Sequence, residues 1–190
     1  MAKLTIVTYP DPILSARCAE VTRFDGELHQ LLDDMYETMI KDGIGLAANQ
    51  VGYSLRFFIM DVPLEGDNRT GRLEIINPRI LARRGEIKYE EGCLSFPGLY
   101  ENVNRAAEID LAWQDRHGVE QAATMRGLVA ICAQHEFDHL EGITFVDRLS
   151  PLKKRIALRD YTRAHRDLID DKAFRAQSKV RRPPQTISNP

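Results

Sequence analysis

Hydrophobic residues first recur with helical spacing between Glu27 and Lys41. Five long apolar side chains in this stretch fall on one face of a helix, namely Leu28, Leu31, Leu32, Met35 and Met39. Such a stripe packs against a protein core, and Gly43, directly after Asp42, is placed to end the helix. Residues 1–26, by contrast, contain two prolines that force their predecessors out of the helical region. We therefore predict an extended N-terminal arm followed by a helix over Glu27–Lys41.

The middle of the chain changes to the two-residue period of β-strands. Between Ala107 and Gln114, for example, apolar and polar residues alternate, as in a strand with one buried face. Turn-forming residues, including those at 65–68 and 115–118, separate such stretches from their neighbours. The predicted strands are Arg56–Val62, Leu73–Pro78, Ile80–Arg84, Glu86–Tyr89, Ala107–Gln114 and Val119–Thr124.

Helical spacing returns twice in the second half of the chain. A helix over Arg126–Glu141 is predicted by a stripe at i, i+4, i+7 and i+11, formed by Leu128, Cys132, His135 and His139. Gly142 is placed to end it. A second amphipathic helix is predicted from Pro151 to about Arg175, with an apolar side formed by Ala157, Leu158, Tyr161, Ala164 and Leu168.

These elements together predict an α+β fold. Mixed or antiparallel β-sheets would pack around the central helix Arg126–Glu141, with one helix near each end of the chain. A chain of 190 residues suits one domain with a sizeable core. We place that domain at residues 1–176, including the C-terminal helix. Hydrophobic periodicity is lost after Ala176, and we predict that residues 177–190 form a basic, flexible tail.

Composition excludes several classes of protein. The longest purely apolar run is the six residues from Leu128 to Ala133, too short to cross a membrane. Three cysteines do not suggest a disulfide framework and fit a reducing compartment better. We therefore expect a cytoplasmic protein with no membrane partner.

Charge is distributed unevenly along the chain. Residues 1–150 carry a net charge of −9, whereas residues 151–190 carry +7. A basic C-terminal segment could bind a polyanion such as ribosomal RNA, but it could equally be a solvated helix followed by a disordered end. The sequence predicts no sequence-specific binding of nucleic acid.

The strongest chemical signal is the segment His135-Glu136-Phe137-Asp138-His139. Histidines at i and i+4 lie on one face of a helix and can bind one divalent ion. Glu136 between them can exchange a proton with a water on that ion. In this composition the expected number of chance His-Glu-x-x-His matches is about 0.01. The segment therefore predicts a metal-dependent hydrolase.

A catalytic ion needs a third protein ligand and an open position. The metallopeptidase pattern with a third histidine fails because Phe145 occupies that position, and no glutamate follows Glu141. The third ligand must therefore lie upstream, be an aspartate, or be absent. Cys93 next to Gly92 is the best candidate, and Cys132, three residues before His135, is an alternative.

Three motifs in the same order resemble the signatures of peptide deformylases. They are Gly43-Ile44-Gly45-Leu46-Ala47-Ala48-Asn49-Gln50-Val51-Gly52, Glu91-Gly92-Cys93-Leu94-Ser95 and Gln134-His135-Glu136-Phe137-Asp138-His139. The resemblance extends from about Ile6 to about Arg155. One departure is Asn49, where the family often has proline.

The resemblance implies an activity. A peptide deformylase hydrolyses the N-formyl group from the formylmethionine of newly made polypeptides and releases formate. Fe²⁺ is the implied physiological ion, with nickel or cobalt as substitutes, while Cys and His ligands also suit zinc. A Cys93/His135/His139 site would lower the pKa of bound water, and the resulting hydroxide would attack the formyl carbonyl. Glu136 would then act as general base and acid.

The resemblance also implies roles for other residues. Gln50 can donate its side-chain N–H to an oxyanion, and the family pairs it with the backbone N–H of Leu94. The positions that match the family's methionine pocket are Ile44, Gly45, Tyr89, Leu128, Ile131 and Cys132, each of which could equally be core. Asp138 could orient a ligand histidine or form a structural salt bridge, for example with an arginine.

Two other functions remain open at this point. One is a metallopeptidase of another lineage, which would cut internal bonds or acetylated substrates. The other is a non-enzymatic domain with a structural metal, possible as a ribosome-binding module. A structural site normally has four protein ligands and gives Glu136 no role.

Overall fold

A five-stranded antiparallel sheet forms the centre of the molecule. The computed structural model describes residues 4–64, 69–167 and 169. The strands follow the order β1-β2-β3-β6-β7, and their bounds are β1 Gly45–Ala47, β2 Phe57–Met60, β3 Leu73–Arg84, β6 Glu108–Gln114 and β7 Glu120–Arg126. A separate antiparallel hairpin pairs β4 Ile87–Gly92 with β5 Tyr100–Arg105. The predicted α+β class is confirmed.

Two helices cover opposite faces of the large sheet. In β2, Phe57 and Ile59 point into a cluster with the apolar stripe of α1 (Gly26–Met39). Phe58 and Met60, one residue out of phase, pack toward α2 (Gly127–Leu140). Because successive strand side chains face opposite ways, a strand between two helices must be apolar throughout. The run of four buried residues in β2 meets that requirement.

The helix α2 is fixed at several points along its length. Gln134 fixes it to the connection between β5 and β6, since its side chain accepts from the Ala106 N–H at 3.1 Å and donates to the Ala106 carbonyl at 2.9 Å. Gly142 follows the helix with a φ of 72°, and a Cβ there would lie 2.6 Å from the Ser15 carbonyl oxygen. Glycine therefore both ends the helix and lets the N-terminal arm pass closely.

The C-terminal helix α3 (Pro151–Ala164) packs through an aromatic cluster. The buried Tyr161 ring contacts Phe96 and Tyr9, and Phe96 contacts Phe145 edge-on at 5.5 Å between ring centroids. Phe145 begins a short 3₁₀ helix, Phe145–Arg148, that connects α2 with α3. The last turn of α3 is thus tied to the core through Tyr161.

Several predicted boundaries differ from the structure. The two strands predicted at Leu73–Pro78 and Ile80–Arg84 form the single strand β3, whose pairing shifts register near Asn77, a residue with a φ of 49°. The Gly-rich loop contains β1 and a 3₁₀ helix, Ala48–Val51. The strand β5 was not predicted. The turn at 65–68, the helix end at Arg175 and the tail at 177–190 lie outside the described residues.

Candidate active site

The helix α2 brings two histidines onto its buried side. His135 and His139 are one turn apart, with ring centroids separated by 5.1 Å, and His139 is fully buried. Their helix is surrounded by the sheet and the hairpin, so both imidazoles face the interior instead of solvent. The predicted buried stripe of this helix is confirmed, with Leu128 at its edge partly buried.

Cys93 joins the two histidines from the turn that follows β4. Donor atoms of Cys93, His135 and His139 lie within 4.8 Å of one another, and Cys93 Sγ is 3.3 Å from His139 Nε2. A tetrahedral ion with ordinary bonds to sulfur and nitrogen would hold such atoms about 3.6 Å apart. The three side chains therefore fit a metal ion. Cys132 is not in this group, and its Sγ lies 3.6 Å from the Ile44 carbonyl oxygen.

His135 is oriented by Glu91, a residue that sequence reasoning did not assign. The Nδ1 atom of His135 is 2.8 Å from Glu91 Oε2, which leaves Nε2 for the centre of the group. Burial raises the pKa of Glu91, but hydrogen bonds from Arg105 and His135 outweigh it and lower the value to about 2. Its place in the Glu91–Ser95 motif, two residues before Cys93, was the one signal in the sequence, and it did not show which side chain Glu91 would contact.

Asp138 forms the expected salt bridge with arginine, and it makes no direct hydrogen bond to a ligand histidine among the described residues. It pairs with Arg105 and Arg148, and Arg148 Nε lies 2.9 Å from Asp138 Oδ2. His139 is fixed instead through its backbone, since Asn49 Nδ2 donates to the His139 carbonyl at 2.7 Å. Burial, with the nearby cations, holds the pKa of His139 well below its ordinary value. A neutral imidazole keeps the lone pair that a metal needs.

Glu136 is buried beside the metal-binding group. Its Oε2 atom has no hydrogen-bond partner among the described residues. Desolvation raises the pKa of Glu136 to about 7. The strand β1 passes very close, because a Cβ built on Gly45 would lie 2.5 Å from Glu136 Oε1. Only glycine leaves the carboxylate in this position.

Gln50 points its amide group toward Cys93. Its Oε1 accepts from the Ala47 N–H at 2.8 Å, which fixes the orientation of the amide. Its Nε2 donates to Cys93 Sγ at 3.4 Å and to Ser95 Oγ at 3.2 Å. A buried side chain held in this way presents a preorganised donor at the site.

A cavity of about 670 Å³ opens beside these groups. The residues matched to the methionine pocket all line it, as do Gln50, Leu94 and Glu136; those pocket residues are Ile44, Gly45, Tyr89, Leu128, Ile131 and Cys132. Sequence reasoning missed the wall formed by 96–100. The one feature of the sequence that could have pointed to these residues is that they directly follow the Glu91–Ser95 motif.

Comparison with known proteins agrees with this geometry. A family model described as polypeptide deformylase matches residues 3–155. The chain belongs to this family. The resemblance predicted from the three motifs is thereby confirmed.

Individual deformylases resemble the chain over most of its length. A peptide deformylase of Wolinella succinogenes is 49% identical over 155 residues, which cover 80% of this chain and 91% of the relative. One of Syntrophobacter fumaroxidans is 48% identical over 162 residues, covering 85% and 95%. The solved peptide deformylase of Ehrlichia chaffeensis has a TM-score of 0.81 at 38% identity, covering 88% of this chain and 99% of that one.

Membership of the deformylase family establishes the general activity. The chain is a metal-dependent hydrolase that removes N-formyl groups from peptides. This finding argues against both alternatives, the metallopeptidase of another lineage and the non-enzymatic module. Within the described residues, no helix has the length and apolar character needed to cross a lipid bilayer.

Proposed function

We propose that this deformylase acts on the N-terminal formylmethionine of nascent polypeptides and releases formate, with Cys93, His135 and His139 holding one divalent ion. The observation that carries the proposal is the approach of three donor atoms to within 4.8 Å, beside a cavity that Glu136 helps to line. Thiolate and imidazole together form a catalytic donor set when one position stays open.

The identity of the ion belongs to the proposal. Fe²⁺ is proposed as the physiological ion because the family resemblance implies it, and Zn²⁺, Ni²⁺ or Co²⁺ as ions that the same donors can hold. When bound, the ion supplies Lewis acidity and lowers the pKa of water. Everything else in the reaction falls to side chains and backbone groups of the protein.

Glu136 is proposed as the general base and then the general acid. Its pKa of about 7 suits both roles near neutral pH, since a group whose pKa lies near the working pH can both accept a proton and give it up readily. It would take a proton from the attacking water and return it to the leaving amine. The unpartnered Oε2 atom supports this role, because it is free to accept a proton.

Gln50 and Leu94 are proposed to stabilise the oxyanion that forms on the formyl carbonyl. The Gln50 amide is held in place by Ala47, and the N–H that now points to Cys93 Sγ would be the one that turns to the oxyanion. Leu94 lines the same cavity directly after Cys93, where its backbone N–H can serve as the second donor.

Substrate choice would be steric. A formyl carbon carries hydrogen where an internal peptide carbonyl carries a chain, so a blind pocket can admit the first and exclude the second. The apolar cavity wall at Ile44, Leu128 and Ile131 supports placing the methionine side chain there. Activity on formylated and not on acetylated methionyl peptides would agree with this assignment.

Replacing Glu136 by Gln tests the catalytic role. The substitution keeps the size of the side chain and removes its basicity, so we expect metal content to stay at one ion and formate release to fall by at least about 100-fold. Metal analysis and a formate-coupled assay give the two readouts. Glu120→Gln, at an exposed site in β7, is the matched control and should match the wild type. An unchanged rate for Glu136→Gln would end the assignment.

We further propose that the basic C-terminal segment docks the enzyme on the ribosome. The helix α3 exposes Leu152 and Ile156 among lysines and arginines, a combination that suits an RNA–protein surface. Removing residues 170–190 should weaken cosedimentation with ribosomes and spare turnover of short peptides, with wild-type binding falling as salt rises. A cut after Arg155 is a poorer test, because it would also remove Tyr161, which is buried in a core cluster. Equal cosedimentation of both proteins would argue against docking through residues 170–190, and the cytoplasmic location stays a prediction.

A further inference from the structure

A chain of alternating charges leads from the surface to the metal-binding group. Arg148 contacts Asp138, Asp138 contacts Arg105, and Arg105 contacts Glu91. Glu91 in turn lies 2.8 Å from Nδ1 of His135. Asp138, Arg105 and Glu91 are buried, whereas the Arg148 side chain is 43% exposed. These ion pairs connect four separate elements: the 3₁₀ helix Phe145–Arg148, α2, β5 and β4.

The central arginine determines how Glu91 is placed. Arg105 Nε lies 2.7 Å from Glu91 Oε1, and Arg105 Nη2 lies 2.9 Å from Glu91 Oε2. This two-pronged contact fixes both carboxylate oxygens in one plane. The remaining Arg105 nitrogen, Nη1, is engaged by Asp138. Arg105 therefore cannot turn away from Glu91 without breaking its contact with Asp138.

Asp138 is held from the opposite side by Arg148. Two nitrogens of Arg148 reach the two oxygens of Asp138. The same 3₁₀ helix also presents Phe145, whose ring stacks near His135 at 6.0 Å between centroids. The segment that leads into α3 thus touches His135 directly through Phe145 and indirectly through the ion pairs.

We propose that Arg105, Asp138 and Arg148 are positioning residues, which hold the His135 ring in the orientation that presents Nε2 to the metal. The proposal rests on the proposed metal centre and extends it to residues that touch neither ion nor substrate. An ion-pair chain with a purely structural role would tie β5 to α2 without affecting the ligand. The ion pairs described above end on Nδ1 of the ligand His135. Mutating residues that hold a metal ligand in this way commonly changes metal affinity by about 10- to 100-fold.

The test compares Arg148→Gln and Asp138→Asn with the wild type, each loaded with Co²⁺. The visible spectrum of Co²⁺ reports ligand geometry, and the rate of metal loss to a chelator reports retention. We expect Arg148→Gln to lose metal about 10-fold faster and to shift the Co²⁺ bands, with Asp138→Asn showing a larger change. KM for a formylmethionyl peptide should stay close to that of the wild type, because the cavity wall is untouched.

Three controls separate the possible explanations. Arg148→Lys keeps the charge and should recover most of the metal retention. Arg79→Gln breaks an exposed pair with Glu120 on the sheet and should behave as the wild type. Thermal unfolding checks that each variant is folded, and Arg148→Gln, at the exposed end, carries the test if Asp138→Asn does not fold.

The outcomes also separate this inference from the proposed function. If folded Arg148→Gln and Asp138→Asn keep the spectrum and the loss rate of the wild type, the positioning role is wrong while the metal centre stands. If the wild type binds no ion through Cys93, His135 and His139, the proposed function and this inference both fail.

Discussion

A single methyl group added at Gly45 should disable the enzyme. A Cβ at this position would lie 2.5 Å from Glu136 Oε1 and 2.8 Å from Cys132 Sγ, whereas ordinary contact begins at 3.4 Å. Either the carboxylate or β1 must therefore move by about 0.9 Å. Because β1 pairs with β2 and packs against α1, we expect the Glu136 side chain to move more than β1 does.

The size of the effect follows from that displacement. A misplacement of about 1 Å at a reacting group can reduce the rate about 100-fold, equivalent to about 2.7 kcal/mol of lost transition-state stabilisation. We expect Gly45→Ala to lower kcat/KM by this factor in a formate-release assay. Metal content should stay at one ion, because the three atoms nearest to the added methyl group belong to Glu136 and Cys132 and not to a proposed ligand.

A double-mutant cycle identifies the cause. If the methyl group acts through Glu136, adding Gly45→Ala to Glu136→Gln should change the residual rate much less than it changes the wild type. Gly26→Ala, which meets nothing within 4 Å, is the control for the substitution itself. A Gly45→Ala enzyme with turnover within twofold of the wild type would refute the reasoning, and full additivity would place the effect elsewhere.

Three further predictions follow from other contacts in the structure. Cys93→Ala should remove both metal and activity, as measured by metal analysis and formate release; retained metal would point to Cys132 as a ligand. Asn49→Ala loses the hydrogen bond to the His139 carbonyl, so urea unfolding should show a loss of about 1–2 kcal/mol, and unchanged stability would contradict the role given to that bond. Tyr161→Ala empties the aromatic cluster and should destabilise by about 3 kcal/mol, whereas Tyr161→Phe should lose less than about 1 kcal/mol; equal losses would assign the effect to the hydroxyl group.

The main helices could be predicted because their apolar stripes coincide with real buried faces. The stripe Leu28–Met39 and the stripe that contains Cys132 and His139 are both in the core. The three motifs also identified the right family. For both helices, the spacing of residues along the sequence was enough to identify the face that packs into the core.

The strand β5 could not be predicted from hydrophobic pattern, and the reason is physical. Its inward positions include Val103 and Arg105, so a buried arginine occupies a place where the pattern requires an apolar residue. That arginine is tolerated because Glu91 and Asp138, distant in sequence, neutralise it. The same long-range pairing hid the role of Glu91, since nothing near it in the chain shows which histidine it meets.

Asn49 illustrates a substitution whose consequence depends on the tertiary structure. Proline, frequent at this place in the family, stiffens a loop through its ring. Here the side-chain amide instead anchors the loop to the carbonyl of His139. The sequence showed the departure from the family pattern, and only the structure shows how the loop is held without proline.

The hairpin β4–β5 does not belong to the large sheet, yet it leads directly into Cys93. Two-stranded hairpins are marginally stable by themselves in water. Coordination by Cys93 from the hairpin side and by two histidines from α2 would act as a reversible cross-link between them. Thermodynamic linkage then requires the melting temperature to rise with the concentration of free metal, so occupancy by the ion would protect this part of the enzyme against proteolysis.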